Sequence, residues 1–456
     1  MSVPMRCAVP AGFHAFARGA LIAGLVVVQA SAQTSGEVES GQAFDERQTY
    51  GPGDVKEGYE SADYRTRSRS LLERRGVKLD LIRFAQQPPL GLPPVPVPAD
   101  NPLTRAKIEL GRKLFFDRRL SINDTLSCAA CHIPEQGFTN NELRTPVGVE
   151  GRSVLRNSPT LFNVAYQKHL FLDGREFSLE NQVWQPMTAH NEMAAPSIGY
   201  VIRKIRRMRD YDGLFEAAFD GRGPDILTIG QALAGYQRTL LAADSPFDRW
   251  YFGGRADAVD ESVKRGFALF SGKAQCIVCH RVREDHALFI DHQFHNTGLG
   301  FAASVDGDKA ETTRVQLAPG VFAEVPRAAI DAVTQQKLPN DLGLYRVTES
   351  PGDRWKFRTQ TLRNVTLTAP YMHDGQFDTL REVIDFYDRG GVPNELLSPL
   401  IRPLGLTEQE KQDLEAFLHS LTGSNVPDIV ADAFAAPIGD LSSEDPNWAH
   451  ENTLGY

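Results

Sequence analysis

Cys128-Ala129-Ala130-Cys131-His132 and Cys276-Ile277-Val278-Cys279-His280 repeat one pattern, C-x-x-C-H, within a chain of 456 residues. That spacing lets two thiols bond to the vinyl groups of one haem while the next residue offers its imidazole to the iron. Zinc is poorly served, because each His directly follows its second Cys instead of standing at the usual ligand spacing. A thioredoxin-like redox pair needs a βαβ setting that the sequence lacks. Two disulfides, each closing so short a ring, add little loop entropy. The residues favour two covalently bound c-type haems, with His132 and His280 as proximal ligands.

Only 5 Cys occur, and Cys7 alone stands outside the motifs. It lies in a segment with Arg6 and Arg18, the apolar run Gly19 to Val28, and Ala30-Ser31-Ala32 before Gln33. A basic start, a short apolar core and a small-residue end describe a secretory signal cleaved after Ala32. The apolar run is well short of the roughly 20 residues that cross a bilayer. Export to the periplasm is expected, with no membrane span after cleavage. Lys and Arg total 49 against 58 Asp and Glu, a net charge of −9 that becomes −11 once residues 1–32 leave. With no basic block, nucleic acid is not expected as a partner.

Residues 33–99 read as an N-terminal extension ending in a Pro-rich connector, Pro88 to Pro98. A helix is predicted from Asn101-Pro102, with Asn capping and Leu103, Ala106, Leu110 and Leu114 on one face. A second is predicted from Thr228, with Ile229, Leu233, Tyr236 and Leu240 inward, and a third after Asp260, with Val263, Phe267 and Phe270 inward. Thr379 with Glu382, and Thr407 with Glu410, are capping boxes opening two more. Strand signals are sparse. A weak repeat also appears: Gly111-Arg-Lys-Leu114-Phe115 precedes one motif and Gly266-Phe-Ala-Leu269-Phe270 the other.

The sixth iron ligand separates an electron carrier from a catalyst, since an open distal side admits peroxide. After the signal, Met187, Met193, Met208 and Met372 are the only methionines, and eight histidines lie outside the motifs. The residues alone assign none of them. On the helix after Thr379, the spacing of Leu380, Val383, Ile384 and Tyr387 turns Tyr387 inward, as it would for a core tyrosine.

From Leu103 to Gly423 the chain resembles the bacterial dihaem cytochrome c peroxidase family, and within it the MauG-like branch. The resemblance rests on both C-x-x-C-H motifs, Arg156-Asn157-Ser-Pro-Thr-Leu161, Asp173-Gly174-Arg175, Phe294-His295-Asn-Thr-Gly298 and Leu362 to Gly375. Peroxidases of the family place an axial Met fourteen residues beyond the His of P-Y-x-H-x-G; from His373 that count reaches Tyr387. MauG-like proteins have Tyr there, so the resemblance makes Tyr387 the axial ligand of the second haem. Classical members carry a removable distal His in the loop after the first motif. None lies between Ile133 and Val154, so the first haem is expected to be open. Gln182 and Glu192, with Pro186 between them, match the distal pocket, Glu192 as proton shuttle and Gln182 as hydrogen-bonding support. Asn157, Thr368 and Pro370 match the ligands of an inter-haem Ca2+. Leu172 stands where the family usually has Trp, before Asp-Gly-Arg, and Ala274 stands two before the second motif, where MauG has Trp. Trp184 is a nearby alternative relay.

The implied architecture is mainly α, with two c-type-cytochrome-like haem domains in tandem joined by irregular Gly/Pro-rich connections. Its bounds are a signal at 1–32, the extension at 33–99, a peroxidatic haem domain at 100–258, a C-terminal haem domain at 259–424 and a tail at 425–456. The implied activity is that of a periplasmic peroxidase. It uses hydrogen peroxide to form high-valent iron and oxidises a residue, tryptophan foremost, on a partner protein. The alternatives are a cytochrome c peroxidase drawing electrons from a small redox protein, and a non-enzymatic dihaem electron carrier.

Overall fold

The helix expected at Asn101 begins instead at Arg105. Thr104 caps it, its Oγ1 accepting from Lys107 N at 3.2 Å. Asn101 is fully buried and spends its amide on tertiary contacts, donating to Glu180 Oε1 at 2.8 Å and Gln231 O at 3.1 Å. The second helix likewise starts two residues before Thr228. Asp225 is its cap, and Thr228 is the third helical residue of that box, its Oγ1 accepting from Asp225 N at 2.9 Å. The capping boxes at Thr379 and Thr407 form as read.

The computed structural model describes residues 76–306, 312–318, 321–326, 329 and 340–436, all within one compact unit spanning 47–456. The expected signal, Cys7 and most of the extension lie outside them. The longer helices are α1 (Arg105–Phe116), α2 (Ile198–Ile205), α3 (Ile226–Gln237), α4 (Glu261–Ser271), α5 (Leu299–Asp306), α6 (Leu380–Asp388), α7 (Glu408–His419) and α8 (Val426–Ala433). Strands are few. β1 (Phe294–His295) pairs antiparallel with β4 (Phe357–Arg358), and β2 (Thr312–Ala318) forms a hairpin with β3 (Val321–Pro326). The mainly α expectation is met. Among the described residues no helix is long and apolar enough to cross a membrane.

The two glycines of the weak repeat do the same work. A Cβ on Gly111 would lie 1.9 Å from Ala232 O, and one on Gly266 would lie 1.9 Å from Asp413 O. Each glycine therefore lets one helix rest on the backbone of another, α1 on α3 and α4 on α7. Besides a small cluster of Val164, Leu170, Leu179 and Ala234, buried apolar side chains gather accordingly into two large ones. One joins α1, α2 and α3 with Val426, Ile429 and Ala433 of α8; the other joins α4, α6 and α7 with Phe247 and Phe289.

The Pro-rich connector is fastened down. Gly91 sits at φ +89°, and its carbonyl accepts from Arg363 Nη2 at 2.7 Å and from Ala287 N at 3.0 Å. Arg363 in turn pairs with Asp248 at 2.8 Å, both side chains wholly buried. Tyr166 donates its hydroxyl to Pro93 O at 2.8 Å.

Two candidate haem sites

Each C-x-x-C-H motif forms one tight turn, Cys128–Ala130 and Cys276–Val278. His132 N donates to Cys128 O at 3.0 Å, and His280 N to Cys276 O at 2.9 Å. Both imidazoles are then held the same way, Nδ1 against Phe138 O at 3.0 Å in one and Phe289 O at 2.9 Å in the other. A ring whose Nδ1–H donates to a backbone carbonyl keeps the Nε2 lone pair for a metal. Burial lowers the pKa of both, that of His132 to about 4, so both rings are neutral at physiological pH.

The accepting carbonyls belong to strained residues. Phe138 and Phe289 are fully buried and left-handed, at φ 53° and 54°, a conformation that costs a bulky residue on the order of 1–3 kcal/mol. Two threonines brace them. Thr160 Oγ1 donates to Gly137 O at 2.6 Å, and Thr361 Oγ1 donates to Leu288 O at 2.8 Å. Each hydroxyl also accepts from the amide two residues on, Phe162 N or Arg363 N, both at 3.1 Å. Asn163 and Asn364 follow, both at φ 61°. A T-L-x-N-V repeat, residues 160–164 and 361–365, thus supports both histidines. The sequence reading missed it, although comparing the two halves beyond the motifs would have found it.

The first cavity, of about 640 Å³, is lined by Cys131, His132, Gln182, Pro186 and Glu192, with Arg175 nearby on its wall. The expected distal residues therefore face the first motif. Burial raises the Glu192 pKa above 4.5, and the Arg175 guanidinium opposes the rise. Among the described residues on these walls, His132 is the only imidazole and there is no thioether.

The second cavity, of about 320 Å³, is lined by Cys276, Cys279, His280 and Tyr387. Met372, His295 and His373 share its walls. Burial raises the Tyr387 phenol well above its usual value, and the nearby sulfurs of Cys279 and Cys276 add to this. His295 Nε2 meets Asp291 Oδ2 at 2.7 Å and Cys279 Sγ at 3.7 Å. That triad is the group of His, Cys and acidic side chains close enough to share an ion among the described residues.

Asn157, Thr368 and Pro370 all line the second cavity, and Asn157 also lines the first. Asn157 Nδ2 is taken by Arg144 O at 2.9 Å. Leu172 lines both cavities, so an aliphatic side chain stands in the wall between them. Ala274 lines the second. Trp184 lines neither and packs in the first apolar cluster.

The donor chemistry fits a c-type haem in each cavity. Volumes of this size suit a cofactor-scale ligand, and none of the four cysteines is in a disulfide. Burial pushes the Cys128, Cys131 and Cys276 thiols up to about 12, unlike the thiolates of a redox pair.

Residues 105–256 match the di-haem cytochrome c peroxidase family. The cytochrome-c peroxidase IdrP1 of Pseudomonas sp. (strain SCT) is 41% identical over 344 residues, 74% of this chain and 86% of that one. The methylamine utilization protein MauG of Methylorubrum extorquens is 36% identical over 330 residues, 72% of this chain and 81% of that one. A crystal structure of a MauG-like protein associated with microbial copper homeostasis superposes with a TM-score of 0.61 at 34% identity, covering 75% of this chain and 96% of that chain. With two cavities of matching donor chemistry and relatives of this extent, the chain belongs to the dihaem cytochrome c peroxidase family, MauG proteins among its members, and is a haem peroxidase.

Proposed function

We propose that this chain is a MauG-like peroxidase of the periplasm that uses hydrogen peroxide to oxidise a side chain, tryptophan foremost, on a partner protein. In this reading, haem domains at 100–258 and 259–424 bind c-type haems through Cys128, Cys131 and His132 and through Cys276, Cys279 and His280. Asn157, Thr368 and Pro370 would hold Ca2+ through oxygen atoms, Asn157 having its Nδ2 already committed to Arg144 O. The haems, when bound, supply the redox chemistry. The chain's own residues do the rest. Glu192 accepts a proton at its carboxylate and returns it to the departing oxygen, and Gln182 holds the pocket by hydrogen bonding. Tyr387 would hold the second haem iron through its phenol oxygen; burial keeps that phenol protonated, and a bound cation would favour the phenolate.

The observation that carries this reading is the contrast between the cavities. Glu192 and Gln182 share the first cavity with His132, where the described lining residues include no second imidazole and no thioether, whereas Tyr387 shares the second cavity with His280. A phenolate favours oxidised iron far more than a thioether does. Met372, also on the second cavity, supports the other reading, a cytochrome c peroxidase with a thioether ligand fed by a small cytochrome. Peroxide added to the diferric protein separates the two. A persistent oxidised spectrum in wild type, lost in Tyr387→Phe, is expected; the same spectrum and lifetime in both proteins would remove Tyr387 from the mechanism.

A further inference from the structure

β4 carries Arg358 into the wall shared by the two cavities, where its side chain lines both. It is only 6% exposed, yet every hydrogen bond it makes ends on a neutral oxygen. Nε donates to Phe171 O at 3.1 Å, Nη2 to Gln360 Oε1 at 3.3 Å, and Nη1 to Gln167 Oε1. Among the described residues no carboxylate is paired with it. Other buried arginines of the chain are matched: Arg112 with Asp432, Arg156 with Asp173 and Asp341, Arg363 with Asp248. Burial lowers the Arg358 pKa to about 10, which leaves the group charged at neutral pH. A buried charge without a counter-ion is strongly unfavourable.

Gln360, two residues on, has the complementary deficit. Its Oε1 is taken by Arg358, and its Nε2 is buried with no hydrogen-bond partner. It too lines both cavities. A charged donor and an orphaned amide donor side by side make a site for a carboxylate.

We propose that Arg358 and Gln360 bind a carboxylate of the cofactor, a haem propionate, in the wall between the two cavities. The proposal rests on reading those cavities as haem sites. Arg358 thereby places a positive charge beside the porphyrin edge and favours reduced over oxidised iron.

The test uses the holoprotein, with haem content counted first. Fewer than two haems in wild type would sink the haem reading itself. With two haems present, spectroelectrochemical titration of Arg358→Met is expected to lower the reduced-to-oxidised ratio of at least one haem about tenfold at fixed poise, or about 59 mV for one electron. Arg358→Lys restores most of the shift. Gln360→Leu moves the potential the same way by less and shifts the propionate bending band in resonance Raman spectra; it carries the test should Arg358→Met not fold. Wild-type potentials and propionate bands in two-haem variants overturn the proposal. So do potentials that follow chloride concentration while the propionate bands stay fixed, since the occupant is then a free anion.

Discussion

Glu192→Gln isolates proton transfer from everything else in the first cavity. The backbone at Glu192 is anchored, its N donating to Ala189 O at 3.0 Å and its O accepting from Val149 N at 2.9 Å, so an isosteric amide keeps the fold. The carboxyl pKa is raised by burial and opposed by Arg175. Arg175 keeps much of its field, because Asp173, which it meets at 2.9 Å, is shared with Arg156 at 2.7 Å. A carboxyl that takes a proton from peroxide must first be ionised. The rate therefore climbs with pH through the raised Glu192 pKa, above 4.5, and levels off beyond it. Glutamine cannot take the proton, so the rate with peroxide is expected to fall by about 10² to 10⁴. At about 1.36 kcal/mol per tenfold that is roughly 2.7–5.4 kcal/mol of barrier. The pH rise disappears with it. Stopped-flow mixing of the diferric protein with peroxide, at matched haem content, measures both. A two-haem Glu192→Gln protein that reacts at close to the wild-type rate with the same pH profile would refute the assignment.

Two further substitutions probe the scaffold. Gly266→Ala sets a methyl group 1.9 Å from Asp413 O, and parting α4 from α7 is expected to cost about 1–3 kcal/mol; an unchanged thermal midpoint would show that the crossing is not tight. Arg363→Met leaves the Asp248 charge unpaired at 0% exposure and removes one of the two hydrogen bonds to the Gly91 carbonyl, an expected loss of about 3–5 kcal/mol. Denaturant unfolding checks it, and the double variant Arg363→Met/Asp248→Leu is expected to recover much of the loss.

What the sequence made legible was local. The capping boxes at Thr379 and Thr407 and the helix after Asp260 depend on residues three apart, and they form as read. Asn101 misled for the same reason: its side chain is a good cap in isolation, but Glu180 and Gln231, far along the chain, claim it. Gln182 and Glu192 look like a solvated helix face by spacing, and their placement with His132 follows from the packing of the short helices at 179–182 and 184–188. Arg358 escaped notice altogether. Nothing in Phe357-Arg-Thr-Gln360 says that the guanidinium will be buried without a carboxylate, since that is a property of the wall and not of the segment.

The wall is itself a product of the repeat. When Thr160 is set against Thr361, Asn157 falls on Arg358 and Pro159 on Gln360, and all six of these residues line both cavities. The same segment, used twice, meets its counterpart between the two sites. Its first position is the same in both copies, and each threonine braces the loop whose carbonyl holds one histidine. Its middle position differs: Phe162 packs on Phe138, while its counterpart Arg363 ties down the connector at Gly91. None of the described residues lining both cavities is aromatic, Leu172 included. Phe171 on the first cavity and Phe357 on the second flank this wall, each beside a residue that lines both. The wall is aliphatic and polar where both cavities reach it, and Arg358 is the one charged side chain among the described residues lining both.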